Sequence, residues 1–562
     1  MSNPIKSLIS QSAARITEDS RNALKVMKRA GPNQVQFWFI ALLIGIAAGG
    51  AAVIFRLGIT ALQSSVYGTD NIRQLHSFAE SLAWYHVLLI PIIGGLVVGV
   101  ILDRFTKDGR VRSVAEVIEG SALNEGRVEV RAGIASAFAS LITLSTGGSS
   151  GREGPVVHLA AVLSTAVSRL IKANGITGRD LLGCAVAAAV SASFNAPIAG
   201  ALFALEVVLR HFAVHAFAPI VIASVAGTVI NRLVFGDLAE FGLPIQNMLA
   251  FYVELPAFLL LGAVCGLVAV VLMRAIFWAD DIGTWVQDRI GLRRFLRPAI
   301  AGAILGGLAI FYPHIIGVGY ETTTAALTGD LIFHEAIVFV AFKVLAVAIT
   351  IGGRMGGGVF SPSLMVGALT GLAFGIIATG VFPGASGSPT LYALAGMGAV
   401  AAAVLGAPIS TTLIVFELTG DWQTGLAVMV AVSMSSAISS KLVDRSYFLT
   451  QLERRNIHVA AGPQAYLLSK FRVATMMRDM ENKRAAPEDQ CWELIAEGVY
   501  IDGNATLEQA MPIFEAANQP FIPVVTLGGE GDAPELWGAL FQVDALKVMN
   551  KALAETAAEE HS

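Results

Sequence analysis

From Gln36 to about Leu442 the chain is almost continuously apolar, yet many of its apolar stretches are too short to cross a lipid bilayer. A helix needs about 20 residues to span a hydrocarbon layer of about 30 Å. Stretches at 36–63, 83–102, 216–235, 249–278, 332–350 and 362–382 reach or approach that length. Those at 131–146, 155–171, 178–193, 197–209, 297–311, 391–405, 408–419 and 424–441 fall short, and Gly, Pro and Ser separate the stretches rather than long charged loops. A helix that stops at membrane depth must end against protein or a water-filled cavity, because lipid satisfies no backbone polar group. The pattern therefore predicts an all-α polytopic membrane protein of broken, tilted helices whose ends face an internal site. Of 562 residues 55% are apolar and only 14% are charged, against about a quarter charged in a soluble domain. A net charge of −4 excludes a nucleic-acid partner.

Charge is distributed unevenly. Residues 298–420 hold only Glu321, Asp330, Glu335, Lys343, Arg354 and Glu417. The first 35 residues carry Lys6, Arg15, Arg21, Lys25, Lys28 and Arg29 against Glu18 and Asp19, which predicts a cytoplasmic N-terminus in a cell membrane. An even number of crossings then leaves the polar tail after Asp444 cytoplasmic as well. The first apolar run is too long for a secretory signal and lacks a small-residue cleavage site. Cys184, Cys265 and Cys491 are scattered and suggest neither a disulfide framework nor a thiolate metal site. The expected organisation is an N-terminal segment at 1–35, a membrane domain at 36–450, a polar domain at 466–553 and a tail at 554–562.

Two internal matches point to a duplicated architecture. Ala196-Pro197-Ile198, Leu202 and Glu206 recur as Ala407-Pro408-Ile409, Leu413 and Glu417, at a constant offset of 211 residues. Upstream, Gly151-Arg152-Glu153-Gly154-Pro155 places its proline 42 residues before Pro197, and Gly358-Val359-Phe360-Ser361-Pro362 places its proline 46 before Pro408. Two halves, each with Gly-x-x-x-Pro followed by an Ala-Pro-Ile helix start, predict repeats meeting at a central site. Glycine leaves backbone amides open to a ligand, and proline suits the first turn of a helix. Helix N-termini bear partial positive charge and unpaired N–H donors, so they attract anions. Such partial charges hold a small anion loosely enough for passage, as a full lysine at short range would not. Glu153, an acid at membrane depth, is a functional candidate by default.

GREGP, GGGVFSP and the paired Ala-Pro-Ile starts resemble the signature elements of the CLC chloride channels and chloride/proton antiporters, over roughly 35–450. The resemblance implies a CLC-type inverted repeat and no enzyme activity. It implies a homodimer with one pore per subunit, chloride as the transported ligand and no cofactor or metal. Glu153 resembles the gating glutamate. Gly151, Arg152, Gly154, Gly358, Val359 and Phe360 resemble the anion-binding backbone, and Tyr447 the tyrosine whose hydroxyl donates to the central anion. Two departures stand out. Where the family usually reads Gly-Ser-Gly-Ile-Pro, this chain has Val111-Arg112-Ser113-Val114-Ala115, with Arg112 at the serine's place and Ser113 one step on. Val207 stands where antiporters carry an internal proton-accepting glutamate, which resembles the channel branch. Neighbouring Glu206 is rotated by about 100° on a helix, and is expected, like Glu417, to be held by backbone donors.

A voltage- or pH-gated chloride channel is the leading expectation, with a chloride/proton antiporter as its rival and a nucleotide-sensing membrane receptor more remote. Residues 500–550 read strand, helix, strand, strand, helix and resemble one cystathionine-β-synthase-type (CBS) repeat. Phe471 to Met477 resembles the start of an eroded second one. An adenine nucleotide could bind such a tail, though a ligand-free cap fits the sequence equally. His211 and His215 share a helical face but lack the glutamate of a zinc hydrolase and any third ligand.

Overall fold

The computed structural model describes residues 33–561 apart from 69–73, 174, 213, 237–252, 385, 458, 460–470, 483, 518 and 527–534. Most of the N-terminal segment at 1–35, with its basic residues, and the start of the polar domain at 466–470 lie outside the described residues. Two compact units divide at Ile457.

The first unit is entirely helical. Its helices are α1 (Gln34–Tyr67), α2 (Leu75–Ser81), α3 (Trp84–Phe105), α4 (Val114–Leu123), α5 (Val130–Ser145), α6 (Glu153–Ile171) and α7 (Gly175–Phe194). They are followed by α8 (Pro197–Phe203), α9 (Val214–Phe235), α10 (Leu255–Ile290), α11 (Arg297–Phe311) and α12 (Tyr320–Thr328). The unit closes with α13 (Phe333–Gly352), α14 (Phe360–Val381), α15 (Pro389–Leu405), α16 (Pro408–Thr419), α17 (Trp422–Leu442) and α18 (Tyr447–Glu453). Among the described residues, nine helical segments are long and apolar enough to cross a membrane, including Glu153–Ile171, Arg294–Phe311 and Trp422–Glu453, whose stretches read as too short from sequence; shorter apolar helices lie between the nine. Apolar stretches read from sequence coincide with these helices to within a few residues, except that α10 runs on to Ile290 through charged Asp280 and Asp281. The short α2, α4, α12 and α18 have too little apolar content to stand out in the sequence.

Local chemistry explains the boundaries. Asn33 accepts from the Gln36 amide at 2.8 Å while the Gln36 side chain accepts from the Asn33 amide at 3.2 Å, a reciprocal cap that starts α1. Proline opens α8, α15 and α16, where its missing N–H costs nothing. Helices α14 and α15 approach so closely that a methyl on Gly367 would lie 2.3 Å from the Gly396 carbonyl oxygen, and one on Gly396 2.5 Å from that of Gly367. Small residues give apolar helices tight packing where lipid supplies no hydrophobic drive. Leu43, Ile54, Leu233, Leu260 and Phe311 are exposed, as suits a lipid-facing perimeter.

The second unit carries a four-stranded sheet of order β1-β4-β3-β2, made of β1 (Arg478–Asp479), β2 (Ile501–Asp502), β3 (Phe521–Thr526) and β4 (Glu535–Phe541). Strands β2 and β3 pair in parallel across α20 (Leu507–Ala517), and β3 and β4 pair antiparallel before α21 (Gln542–His561). That order matches the strand-helix-strand-strand-helix reading of 500–550. Leu507, Phe514, Ile522, Val524 and Leu540 form its core. A further helix, α19 (Glu488–Ala496), packs beside Phe521 and Ala539 through Cys491 and Leu494, whereas Phe471 to Met477 contributes a single 3₁₀ turn and an isolated bridge from Arg472 to Thr506. Helix α21 continues through most of 554–562.

Candidate functional site

The two Gly-x-x-x-Pro elements meet. The Gly151 amide donates to the Gly358 carbonyl and the Gly358 amide to the Gly151 carbonyl, both at 2.7 Å, so the loops before α6 and α14 clasp as a two-residue antiparallel bridge. Absent side chains allow it. A methyl on Gly358 would stand 3.1 Å from the Gly154 amide nitrogen, and one on Gly154 would stand 2.4 Å from the Ser113 hydroxyl oxygen. Ser113 is the residue before α4, so three helix N-termini, from α4, α6 and α14, converge on one spot. Each brings amides and the positive end of its dipole.

Glu153, the first residue of α6, is 2% exposed. One oxygen, Oε1, accepts a hydrogen bond from the Ser361 hydroxyl at 2.5 Å, and Arg152 Nε lies 4.0 Å from that oxygen. Its other oxygen lies over Gly151, where an added methyl would meet Oε2 at 2.6 Å and the Ser361 amide nitrogen at 3.0 Å. The acid therefore reaches across from the first half to the α14 tip of the second. Arg152 is held by other means, donating to the Ser193 carbonyl at 3.0 Å with its guanidinium 5.5 Å from the Tyr320 ring centre. Phe360 packs against Phe194 and Phe203, with ring centres 4.7 and 5.8 Å away. That aromatic contact fixes the start of α14 against α7 and α8.

Beside this junction lies a cavity of about 70 Å³ lined by Ser113, Gly358, Val359 and Tyr447, together with the charged Arg110, Asp280, Arg354 and Arg454. Tyr447 opens α18 and is 5% exposed, its ring stacked on Phe277 with centres 5.3 Å apart. Asp280 serves three guanidiniums, Arg110 and Arg297 at 2.9 Å and Arg354 at 3.7 Å. One carboxylate among three cations leaves a local excess of positive charge, which draws small anions toward the cavity.

Arg112 and Ser113 are separated by the fold. Arg112 turns into a carboxylate clamp, bonding Asp108 at 2.9 Å and standing 3.7 Å from Glu129, while Ser113 lines the cavity. Of the two candidates in this loop, Arg112 lies in that clamp and Ser113, one step on, lines the cavity. Physically, Arg112 is buried, and a buried guanidinium is held by paired charge. Glu116 closes the Ser113 amide at 2.6 Å and is itself paired with Arg455 at 2.6 Å.

Glu206 and Glu417 form a reciprocal pair. Glu206 accepts from the Ile409 and Ser410 amides at 2.9 and 2.8 Å, and from the Ser410 hydroxyl, at the α16 tip. Glu417 accepts from the Ile198 and Ala199 amides at 2.9 and 2.8 Å at the α8 tip. Each half caps the other's Ala-Pro-Ile helix, so these two positive ends are occupied by the chain's own carboxylates. Val207 is buried in the π-helical continuation of α8 at Ala204–Leu209. His215 stands 3.4 Å from Asp180, and His158 is buried one turn into α6.

Sequence reasoning missed Ser361 and the Arg110–Asp280–Arg354 group. Ser361 was in plain view as the fourth residue of GVFSP, but nothing in a linear motif says that its hydroxyl meets Glu153, 208 residues away. Arg354, one of the few charges between 298 and 420, carried a usable signal.

Comparison with known proteins places this geometry. Residues 94–440 match the family described as voltage gated chloride channel. A ClcB-like protein of Ralstonia nicotianae is 33% identical over 396 residues, covering 70% of this chain and 91% of the relative. The chloride channel protein CLC-f of Arabidopsis thaliana is 30% identical, covering 74% of this chain and 55% of the plant protein. The fold is shared with a slow cyanobacterial Cl⁻/H⁺ antiporter (TM-score 0.67, 22% identity, 75% of this chain and 98% of that one). A eukaryotic CLC transporter shares it too (TM-score 0.64, 18% identity, 93% of this chain and 98% of that one). Clasped Gly-x-x-x-Pro elements, a buried acid between their tips and a match over most of the membrane unit carry one conclusion: this chain belongs to the CLC family of anion-transporting membrane proteins.

Proposed function

We propose that the chain conducts chloride or a similar small anion through a pore gated by Glu153, as a channel without obligatory proton exchange. The observation that carries the reading is the seat of the Glu153 carboxylate, on Ser361 and Gly151 between two helix tips whose amides suit an anion. An acid in that seat competes with the permeating ion, and leaves when protonated or displaced. Ser113, Val359 and Tyr447 line the neighbouring cavity and serve as the inner anion site, with Arg110 and Arg354 enriching anions there. Gly151, Gly154 and Gly358 contribute by letting the backbones approach.

Support for a channel over an antiporter comes from the π-helical segment that follows α8. Val207 has no proton to carry, and Glu206 beside it spends its carboxylate on the α16 amides. The second reading, chloride/proton antiport, rests on the cyanobacterial structure of that kind sharing the fold.

Chloride and proton fluxes measured together in proteoliposomes test both. A channel dissipates a chloride gradient without driving protons, whereas stoichiometric proton uptake would establish the antiporter. Glu153→Gln is expected to raise chloride flux and abolish its dependence on pH. Unchanged flux with an unchanged pH response would remove Glu153 from the gate.

A further inference from the structure

Ser361 is the side chain in this junction that no motif assigns. It lies in the first turn of α14, is 4% exposed, and points its hydroxyl at Glu153 Oε1 from 2.5 Å. Its amide nitrogen sits beside the same spot, 3.0 Å from where a Gly151 methyl would project. Amide and hydroxyl of one residue therefore flank the seat that the carboxylate fills. A hydroxyl rotates freely about its C–O bond and donates to whichever acceptor is present. Its neighbours Phe360 and Pro362 offer no such donor, and Ser363 spends its hydroxyl on the Phe360 carbonyl at 2.6 Å.

We propose that the Ser361 hydroxyl is a shared donor that holds Glu153 in the closed pore and is handed to the permeating anion when Glu153 leaves. This rests on the gate reading above and extends it, making Ser361 a positioning residue for the closed state and an anion ligand in the open one. Both acceptors are anionic, so each bond is charge-assisted and stronger than a neutral one. Because acid and anion draw on one donor, they exclude each other more sharply than by bulk alone. A donor that served only the acid would leave the anion unaffected when removed. One that served only the fold would change neither balance.

A double-mutant cycle with chloride as the probe separates these roles, using the full-length protein in liposomes for flux and in detergent for calorimetry. At neutral pH, Glu153→Ala is expected to raise chloride flux. The same change made in a Ser361→Ala background is expected to raise it several-fold less, because the acid was already loosely held. In the Glu153→Ala background, Ser361→Ala is expected to weaken chloride binding about tenfold, and Ser361→Thr to restore it. Size-exclusion profiles establish that each variant is folded, and Ser361→Cys replaces alanine should that variant not be.

Equal gains in flux with and without Ser361 would overturn the latch, and equal chloride affinities in the Glu153→Ala pair would overturn the hand-over. Failure of Glu153→Ala to change flux in the otherwise native chain would instead overturn the gate itself, and this proposal with it.

Discussion

Removing Glu206 should unseat α16 without touching the gate. In Glu206→Ala, the Ile409 and Ser410 amides lose bonds of 2.9 and 2.8 Å to a carboxylate, and the Ser410 hydroxyl loses its acceptor as well. Hydrogen bonds to a charged group contribute about 1.5–3 kcal/mol each, so two of them amount to about 3–6 kcal/mol. Ile409 is 47% exposed, so its bond is only partly shielded. The low end, about 3 kcal/mol, is therefore expected. Glu206→Gln keeps one carbonyl acceptor and should lose about half as much. Glu417→Ala should match Glu206→Ala closely, because it frees the Ile198 and Ala199 amides from bonds of the same length. Denaturant titration in mixed micelles gives the stability change, and proteoliposome efflux normalised to folded protein gives the function. The pH dependence of flux should survive in each variant. Unaltered stability would refute the capping argument. Loss of a proton-dependent flux in Glu206→Gln would make Glu206 part of a proton route and would refute its purely structural assignment.

Arg112→Ala should cost about 1 kcal/mol of stability by unpairing the partly exposed Asp108 and Glu129, while chloride affinity measured by calorimetry stays unchanged. A large fall in affinity would return Arg112 to the anion site. Tyr447→Phe removes one hydroxyl from the cavity lining and keeps the ring stacked on Phe277, so calorimetry should show weaker chloride binding with an unchanged unfolding midpoint. At the α2–α12 contact, outside the spanning helices, burial and the neighbouring His314 hold the His76 imidazole down to about 4, against the pull of Glu321. Burial also lowers His314, with Glu80, Glu321 and Glu335 pulling the other way. The unfolded chain takes up the His76 proton first as pH falls below about 6.5, so stability is full above that value and declines toward pH 4. His76→Phe should remove a decline on the order of 2 kcal/mol across that window in thermal unfolding followed against pH. An identical acid profile in the variant would refute the assignment.

How much was legible beforehand follows from which interactions are local. Apolar stretches gave the long helices because a lipid-facing helix must be apolar along its whole length, and proline marked where α8, α15 and α16 begin. The offset of 211 residues between Glu206 and Glu417 announced two halves, and the reciprocal caps give that duplication its physical purpose. Helices α4, α12 and α18 were not legible as elements, being short and mixed in polarity, although α4 and α18 bring Ser113 and Tyr447 to the cavity. The register at Arg112 and Ser113 was open for the same reason. Without a glycine or proline to pin the loop, only the distances to Asp108 and Glu129 show which side chain turns away.

By itself, then, the sequence determined a membrane-embedded, duplicated helical chain with an acid placed at a helix start, because hydropathy, proline and glycine act on their immediate neighbours. Tertiary structure alone decided that Gly151 would clasp Gly358, that Ser361 would donate to Glu153, and that one carboxylate at Asp280 would face three guanidiniums. Apart from Arg297, which is 17 residues from Asp280, those partners lie far apart along the chain. Their meeting depends on how whole helices pack, and a hydrogen bond or an ion pair takes its value from distances of a few ångströms that no linear pattern encodes.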